Sequence, residues 1–204
     1  MNQTKEEFYG TIVGCPLSCP KILRDDNSNI PRGFYTQASF GDSITLMVVV
    51  INPGQTMADE TNIYANLSPT DKARIHLQFV DQIFTKNAGK RFHKRLIDWL
   101  SHILQKPPES VFHEVVYTNL VKCSTPGNRM PSPEVGKACF TQNFQRELDF
   151  WKPKTVISLG VHCDSLLTKL GIPHQFLPHP SHHETRDYHI PFCEKIRAEL
   201  AVGR

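Results

Sequence analysis

Ile44-Thr45-Leu46-Met47-Val48-Val49-Val50-Ile51 is the stretch that decides the fold of this 204-residue chain. A continuous run of β-branched and other apolar residues is typical of a strand covered on both faces, as in a parallel sheet. Asn52-Pro53-Gly54 follows directly and is a turn signal that ends the strand. Parallel sheets place functional loops beyond the carboxyl ends of their strands, so this turn is a candidate site.

Working outward, the periodicity predicts three more strands, over 111–119, 154–160 and 175–177. Helices are predicted over 68–84, 88–104, 132–151, 161–170 and 191–202, with a cap at Ser68 and a proline at the start of the third helix. Strands that alternate with helices indicate an α/β fold: a three-layer α/β/α sandwich with a central four-stranded, mainly parallel sheet. We expect one domain over 1–204, with 1–40 as an irregular arm holding at most one short helix.

Composition narrows the class of protein. The chain is 39% hydrophobic and 21% charged, which is ordinary for a globular protein, and no apolar run is long enough for a membrane span. The net charge of +3 is compatible with binding nucleic acid but does not by itself argue for it. The N-terminus, Met1 to Glu7, lacks the apolar segment of a secretory signal, so we expect a cytoplasmic protein without membrane contact.

Four of the six cysteines form two spaced pairs. Three residues separate Cys15 from Cys19, and fifteen separate Cys123 from Cys139. Four thiolates from two remote segments can close around one Zn²⁺ or around an iron–sulfur cluster. Buried free thiols and two disulfides are the alternatives, and a reducing cytoplasm disfavours disulfides. We therefore expect a metal or cluster centre that ties the arm to the fold.

Polar groups lie at the predicted ends of three strands. Asn52 follows the first strand, Asn119 ends the second, and His179-Pro-Ser181 follows the fourth. Because the carboxyl ends of parallel strands share one sheet edge, these groups are predicted to lie close together. Lone turn formers and a loop histidine are the alternative interpretations.

The polar groups and the cysteine segment together resemble the uracil-DNA glycosylase superfamily. The resemblance is to the branch with a four-iron, four-sulfur cluster, called family 4, and covers about residues 10–200. It is carried by Val116-Tyr-Thr-Asn-Leu-Val-Lys-Cys123, Pro126-Gly-Asn-Arg129, Pro131-Ser-Pro-Glu134, Lys152–Gly160, and the motifs Ile51-Asn-Pro-Gly54 and His179-Pro-Ser181. Ile51 stands where that branch usually has a glutamate, and the Asn-Pro-Gly form instead resembles the mismatch-specific and single-strand-selective branches.

The resemblance implies roles for individual residues. Asn119 would recognise uracil, and His179 would donate a hydrogen bond to the departing base. Asn52 would orient the attacking water, since an amide is too weak a base to take its proton. Phe84 would stack on the flipped base. Substrate contacts would also come from Ile51, Gly54 and Ser181, DNA contacts from Ser181 and Arg186, and cluster ligands from Cys15, Cys19, Cys123 and Cys139.

The implied function is base excision repair. The chain would hydrolyse the N-glycosidic bond of uracil, or of another deaminated base, in single- or double-stranded DNA, as a cytoplasmic monomer, associated with the nucleoid in a prokaryote. A non-catalytic protein that binds damaged or single-stranded DNA is the alternative, because Ile51 is not acidic. A zinc-bound structural or regulatory protein is a third reading. The base preference stays open, and so does the role of five histidines between 174 and 189.

Overall fold

The computed structural model describes residues 3–56, 60–85, 91–181 and 187–202. The helices are α1 (Lys5–Val13), α2 (Pro69–Thr85), α3 (Arg91–Leu104), α4 (Pro133–Cys139), α5 (Gln145–Trp151), α6 (Val161–Lys169) and α7 (Ile190–Val202). The strands are β1 (Phe34–Tyr35), β2 (Leu46–Val50), β3 (Val115–Asn119), β4 (Thr155–Leu159) and β5 (Gln175–Leu177). No helix within these residues is both long and apolar enough to cross a membrane.

The strands form one sheet in the order β1-β3-β2-β4-β5. β2, β3, β4 and β5 run parallel, and β1 joins the edge antiparallel to β3. The register pairs Val50 with Asn119 at the carboxyl ends of β2 and β3. Asn52 and Asn119 are thereby brought to the same edge of the sheet.

The central strand β2 is buried along its whole length because both its faces are covered. Met47 and Val49 point into a core shared with α1 and α2, whereas Leu46, Val48 and Val50 point into a core shared with α3 and α7. Successive side chains of a strand face opposite sides, so the apolar run supplies both cores. Helices therefore pack on both faces of the sheet, as the run predicts.

The predicted α/β class is confirmed, but the predicted strand number is wrong. The described sheet has five strands because Phe34–Tyr35 adds an edge strand inside the arm. Two residues are too few to show a period of two, which is why the sequence pattern missed them. Residues 111–113, predicted as the start of a strand, instead belong to the 3₁₀ helix Pro108–His113, which begins after Pro107. The helix predicted over 132–151 contains a π-helical turn at Phe140–Phe144 between α4 and α5.

A buried ion pair joins the sheet to α5 next to the cysteine segment. Lys122 Nζ lies 2.6 Å from Glu147 Oε2 and 2.8 Å from Thr118 Oγ1, and both charged side chains are at most 1% exposed. Burial raises the pKa of Glu147, while Lys122 opposes that rise. Each charge is sheltered from water, so each depends on the other for stabilisation.

We expect Lys122→Met to destabilise the fold by about 3–5 kcal/mol, because it leaves the Glu147 carboxyl buried without its cation. The measurement is the free energy of unfolding in urea. The matched control is the double variant Lys122→Met/Glu147→Leu, which removes both charges and should recover much of the loss. Equal stability of the single variant and the wild type would contradict the prediction.

Candidate active site

A cavity of about 590 Å³ opens at the carboxyl edge of the sheet. It is lined by loop residues that follow β2, by the end of β3, by the segment after β5 and by the facing parts of α2 and α3. Seven residues predicted from the sequence line this one cavity, namely Ile51, Asn52, Gly54, Phe84, Asn119, His179 and Ser181. The sheet topology thus brings together groups that are up to 130 positions apart in the chain.

Asn119 ends β3 with its side chain buried at the cavity wall. The residue is 6% exposed, and its Oδ1 atom has no hydrogen-bond partner among the described residues. A buried amide oxygen without a partner is costly, and such groups in native proteins call for an explanation such as a bound ligand. Asn119 therefore offers an acceptor to a donor that enters the cavity.

His179 is half-buried in the loop after β5, where one hydrogen bond orients its ring and another anchors the loop. The backbone N–H of Ser181 donates to His179 Nδ1 over 3.3 Å. In a neutral imidazole this bond makes Nδ1 the acceptor and leaves the proton on Nε2. Arg95 Nη1 of α3 donates to the Pro180 carbonyl over 3.0 Å, which anchors the same loop. The site consequently holds an imidazole N–H donor in a fixed loop.

Gly160, at the end of β4, lets the backbone approach His179 closely. Its φ is +81° and its ψ is 157°, a conformation that is essentially restricted to glycine. A Cβ atom at this position would lie 3.1 Å from His179 Cβ. The glycine is thus required both by the backbone conformation and by the histidine.

The loop after β2, which contains Asn52 and Gly54, is hydrogen-bonded to the segment that follows Cys123. Ser124 Oγ donates to the Gly54 carbonyl over 2.7 Å, and Gln55 N donates to Asn128 Oδ1 over 3.1 Å. Asn52 Nδ2 donates to Thr125 Oγ1 over 3.2 Å. These hydrogen bonds, each of which involves a side chain, connect the loop after β2 with the loop after β3.

Aromatic rings form one wall of the cavity. Phe84 is 6% exposed, and its ring stacks on Tyr35 with centroids 4.8 Å apart and also contacts Phe112, His93 and Tyr117. Phe92 is only half-buried, and its ring centroid lies 5.2 Å from that of His179. Phe92 therefore gives the cavity a second aromatic face.

A charged group from the N-terminal arm also lines the cavity, and the sequence reasoning did not identify it. Arg32 Nη2 pairs with Glu60 Oε2 at 2.9 Å, and its Nη1 donates to the Gly54 carbonyl over 3.2 Å. Glu60 is 1% exposed and also accepts a hydrogen bond from the Tyr64 hydroxyl. The irregular arm carries no periodicity that could have revealed Arg32.

His76, which also lines the cavity, extends this network. Its Nδ1 lies 2.9 Å from the Tyr64 hydroxyl and 3.7 Å from Glu60 Oε1. Burial, and secondarily the Arg32 cation, lowers the pKa of His76 to about 3. The imidazole is therefore neutral at physiological pH, and the Arg32 and Glu60 charges compensate each other.

The four paired cysteines line a second, small cavity, which also borders Arg24, Val121, Lys122 and Asn143. All six cysteines are free thiols, so no disulfide is formed. Asn143 Nδ2 lies 3.5 Å from Cys15 Sγ and 3.6 Å from Cys139 Sγ, and Lys122 N donates to Cys139 Sγ. Cys163 and Cys193 lie apart in the two cores, as the sequence predicts.

Four thiols are ligands of the kind that a thiolate-ligated centre uses, and they must lose their protons when they bind metal. Burial raises the pKa of Cys123 to about 12 and raises the pKa of Cys139 as well, so metal must displace protons from these thiols. No three histidine, cysteine, aspartate or glutamate side chains of the described ranges are arranged to hold a single metal ion. A cluster spreads its four ligands over four irons and so requires no common ligation point.

Three residues singled out from the sequence lie outside the described residues: Arg186 and the histidines His182 and His183. The three described histidines of the 174–189 segment have different surroundings. His174 contacts Asp164, His179 lines the main cavity, and the ring of His189 stacks on Trp99. These three do not form one metal-binding group.

Replacing Gly160 by alanine should destabilise the protein by more than the backbone strain alone, which is about 1–3 kcal/mol, because the new methyl group presses on His179. The measurement is the free energy of unfolding. The control is Gly171→Ala, at φ +70° with nothing within 4 Å of the added Cβ. An equal loss in the two variants would contradict the predicted contact with His179.

Comparison with known proteins assigns most of the chain to one family. No curated protein matches the chain significantly. The family model described as the uracil DNA glycosylase superfamily matches residues 38–198. The match includes β2 with its Asn-Pro-Gly loop, Asn119 and the His179 loop, but begins after the first cysteine pair and Arg32. The chain therefore belongs to the uracil DNA glycosylase superfamily.

Proposed function

We propose that this protein hydrolyses the N-glycosidic bond of uracil, or of another deaminated base, in DNA and leaves an abasic site. Membership in the superfamily supports a DNA glycosylase, and DNA is the substrate it implies. The observation that carries the choice of base is the unpartnered, buried Oδ1 of Asn119 in a cavity that also contains Asn52 and His179.

Asn119 provides the selectivity of the site for uracil. Uracil N3–H is a donor, and Asn119 Oδ1 is an acceptor that has no partner within the described residues. The amide nitrogen of the same side chain can donate to uracil O4. Cytosine presents the opposite order of donor and acceptor, and a mismatch between buried polar groups gives discrimination on the order of 10⁴.

His179 stabilises the departing base. Breaking the glycosidic bond leaves negative charge on uracil O2, and a donor held at that oxygen lowers the barrier. The Ser181 N–H bond to Nδ1 supports a neutral ring whose proton is on Nε2. Such a ring donates a hydrogen bond without itself carrying a charge.

Asn52 orients the water that attacks the sugar carbon. Its amide cannot act as a strong base, so its contribution is placement of the nucleophile. The iron–sulfur branch usually has a glutamate at the position of Ile51. Here the side chain is apolar and partly buried against the core. We therefore expect slower turnover than with a carboxylate at this position.

The base must leave the DNA stack, at a cost of a few kcal/mol, before it reaches these groups. An aromatic face recovers part of that cost. Phe84 is the residue that matches the family, and the half-buried Phe92 beside His179 is a further candidate. Ser181 is exposed at the rim, where its backbone and hydroxyl can contact phosphate, and we retain Arg186 as a DNA contact.

We also propose that Cys15, Cys19, Cys123 and Cys139 hold a four-iron, four-sulfur cluster, as in the branch that the sequence resembles. Their shared cavity and the N–H groups of Asn143 and Lys122 beside the sulfurs support a thiolate-ligated centre, and the resemblance to the iron–sulfur branch favours a cluster over zinc. When bound, the cluster would link the arm covalently to the segment after β3. We assign the centre a structural role, since hydrolysis of the N-glycosidic bond needs no redox step.

Asn52→Ala and His179→Ala should each slow the release of uracil at least about tenfold, because each removes one group that acts in the transition state. The measurement is a single-turnover assay on uracil-containing single- and double-stranded DNA, read as alkali-labile cleavage. His113→Ala, an exposed histidine away from the cavity, is the matched control and should retain full activity.

The same assay separates the proposed enzyme from the alternative function. A non-catalytic DNA-binding protein would shift uracil-containing DNA in a gel without producing abasic sites, and the non-acidic Ile51 is the observation that favours it. No release of uracil, hypoxanthine or xanthine by folded, iron-loaded wild type would reject the glycosylase proposal.

The cluster assignment predicts iron and acid-labile sulfide in equal amounts in anaerobically purified protein. Cys123→Ser should lose both, because it removes one of four ligands. Cys193→Ser is the matched control, since Cys193 is also buried but lies on α7, in the core shared with α3. Stoichiometric zinc without iron in the wild type would support the zinc alternative and overturn the cluster.

A further inference from the structure

We propose that Thr125 is a positioning residue that fixes the orientation of the Asn52 amide and thereby determines which of its atoms meets the attacking water. The inference rests on the proposed function, since it assigns Asn52 to the water. It concerns a residue outside the cavity lining, which neither the sequence motifs nor the family match singles out.

The geometry consists of two hydrogen bonds in series. Asn52 Nδ2 lies 3.2 Å from Thr125 Oγ1, and the Thr125 hydroxyl in turn donates to the carbonyl of Arg129. Asn52 Nδ2 also lies 3.3 Å from the Pro53 carbonyl. Thr125 is 2% exposed, so bulk water does not compete for its hydroxyl.

The chemistry of these groups allows only one orientation of the amide. A threonine hydroxyl has one proton, and here that proton is donated to a carbonyl, which can only accept. The Thr125 oxygen is therefore left as an acceptor towards Asn52. A flipped amide would set its oxygen against two acceptors, Thr125 Oγ1 and the Pro53 carbonyl, and would lose both bonds.

The consequence is a defined acceptor for the nucleophile. Both hydrogen bonds that Asn52 makes within the described residues come from Nδ2. Its Oδ1 is left to accept a hydrogen bond from water, which orients a lone pair of that water towards the sugar carbon. Residue 51 is an apolar isoleucine, so this position supplies no carboxylate that could place the water. The placement of the water therefore depends on the orientation of the Asn52 amide.

Thr125 is itself held in place by the segment around it. Its neighbour Ser124 donates to the Gly54 carbonyl, and the Ser124 carbonyl accepts from Leu23 N over 2.7 Å. Asn128, three residues further on, accepts from Gln55 N. This segment follows Cys123 directly, so the cysteine centre and the Asn52 loop are joined through a run of hydrogen-bonded residues.

The test is a single-turnover assay of uracil release with Thr125→Val, Thr125→Ser, Asn52→Ala and the double variant Asn52→Ala/Thr125→Val. Thr125→Val keeps the shape but cannot accept, so we expect about a tenfold slower step, the size of one lost hydrogen bond. Thr125→Ser keeps the hydroxyl and should retain the wild-type rate. The double variant should be no slower than Asn52→Ala, and the affinity for uracil-containing DNA should be unchanged in all four.

Ser124→Ala is the comparison variant: it removes a bond between the same two loops without touching the amide, so we expect a smaller loss than in Thr125→Val. A loss of the same size in Ser124→Ala would indicate general loosening of the loop and would overturn the inference. So would a wild-type rate in Thr125→Val or fully additive losses in the double variant. Thr125→Ala serves the same comparison if a thermal melt shows that the valine variant is unfolded.

Failure of the underlying function gives a different result. If wild type releases no base, or if Asn52→Ala is as fast as wild type, the proposed roles are wrong irrespective of Thr125. If Asn52→Ala is slow and Thr125→Val is not, only the positioning inference is overturned.

Discussion

The parallel pairing of β2 with β3 is the constraint on which the rest of the site depends. It sets Val50 beside Asn119, and the backbone bonds continue beyond the strands, from Leu120 N to the Val50 carbonyl and from Val121 N to the Ile51 carbonyl. A slip of one residue would turn every side chain of the strand to the other face. The two buried cores exclude such a slip, so packing far from the cavity fixes the groups inside it.

The charges that line the cavity compensate each other, so a ligand interacts with individual polar atoms and not with a net charge. Among the described residues that line it, Glu60 is the one carboxylate, and the Arg32 guanidinium compensates it at 2.9 Å. The neutral His76 adds no charge. A cavity balanced in this way does little to stabilise a cationic sugar through a carboxylate. The proposed chemistry must therefore depend more on stabilising the departing base through His179 and on placing the water.

The predictable parts of this molecule are those in which the local residue pattern and the packing of the whole fold require the same structure. The apolar run of β2 needs burial on both faces, and a parallel sheet covered by helices is the arrangement that provides it. Asn52, Asn119 and His179 were predictable because a strand end is also a sheet edge. Arg32 and Thr125 were not, since their roles arise from contacts with Glu60, Gly54 and Asn52 that no sequence period encodes. The two-residue β1 was missed because its pairing with β3 is a tertiary event.

The segment after Cys123 shows how a centre at the four thiols would act on the Asn52 loop. Cys123 lies immediately before Ser124 and Thr125, which hold Gly54 and Asn52. Lys122, on its other side, receives the Arg32 N–H at its carbonyl and is anchored by Glu147. Fixing Cys123 therefore fixes both the residue that positions the amide and the arm residue that supports the same loop. On this view a centre at the four thiols contributes to the reaction only structurally. It restricts the motion of residues 122–129, which would otherwise allow Asn52 to move as well.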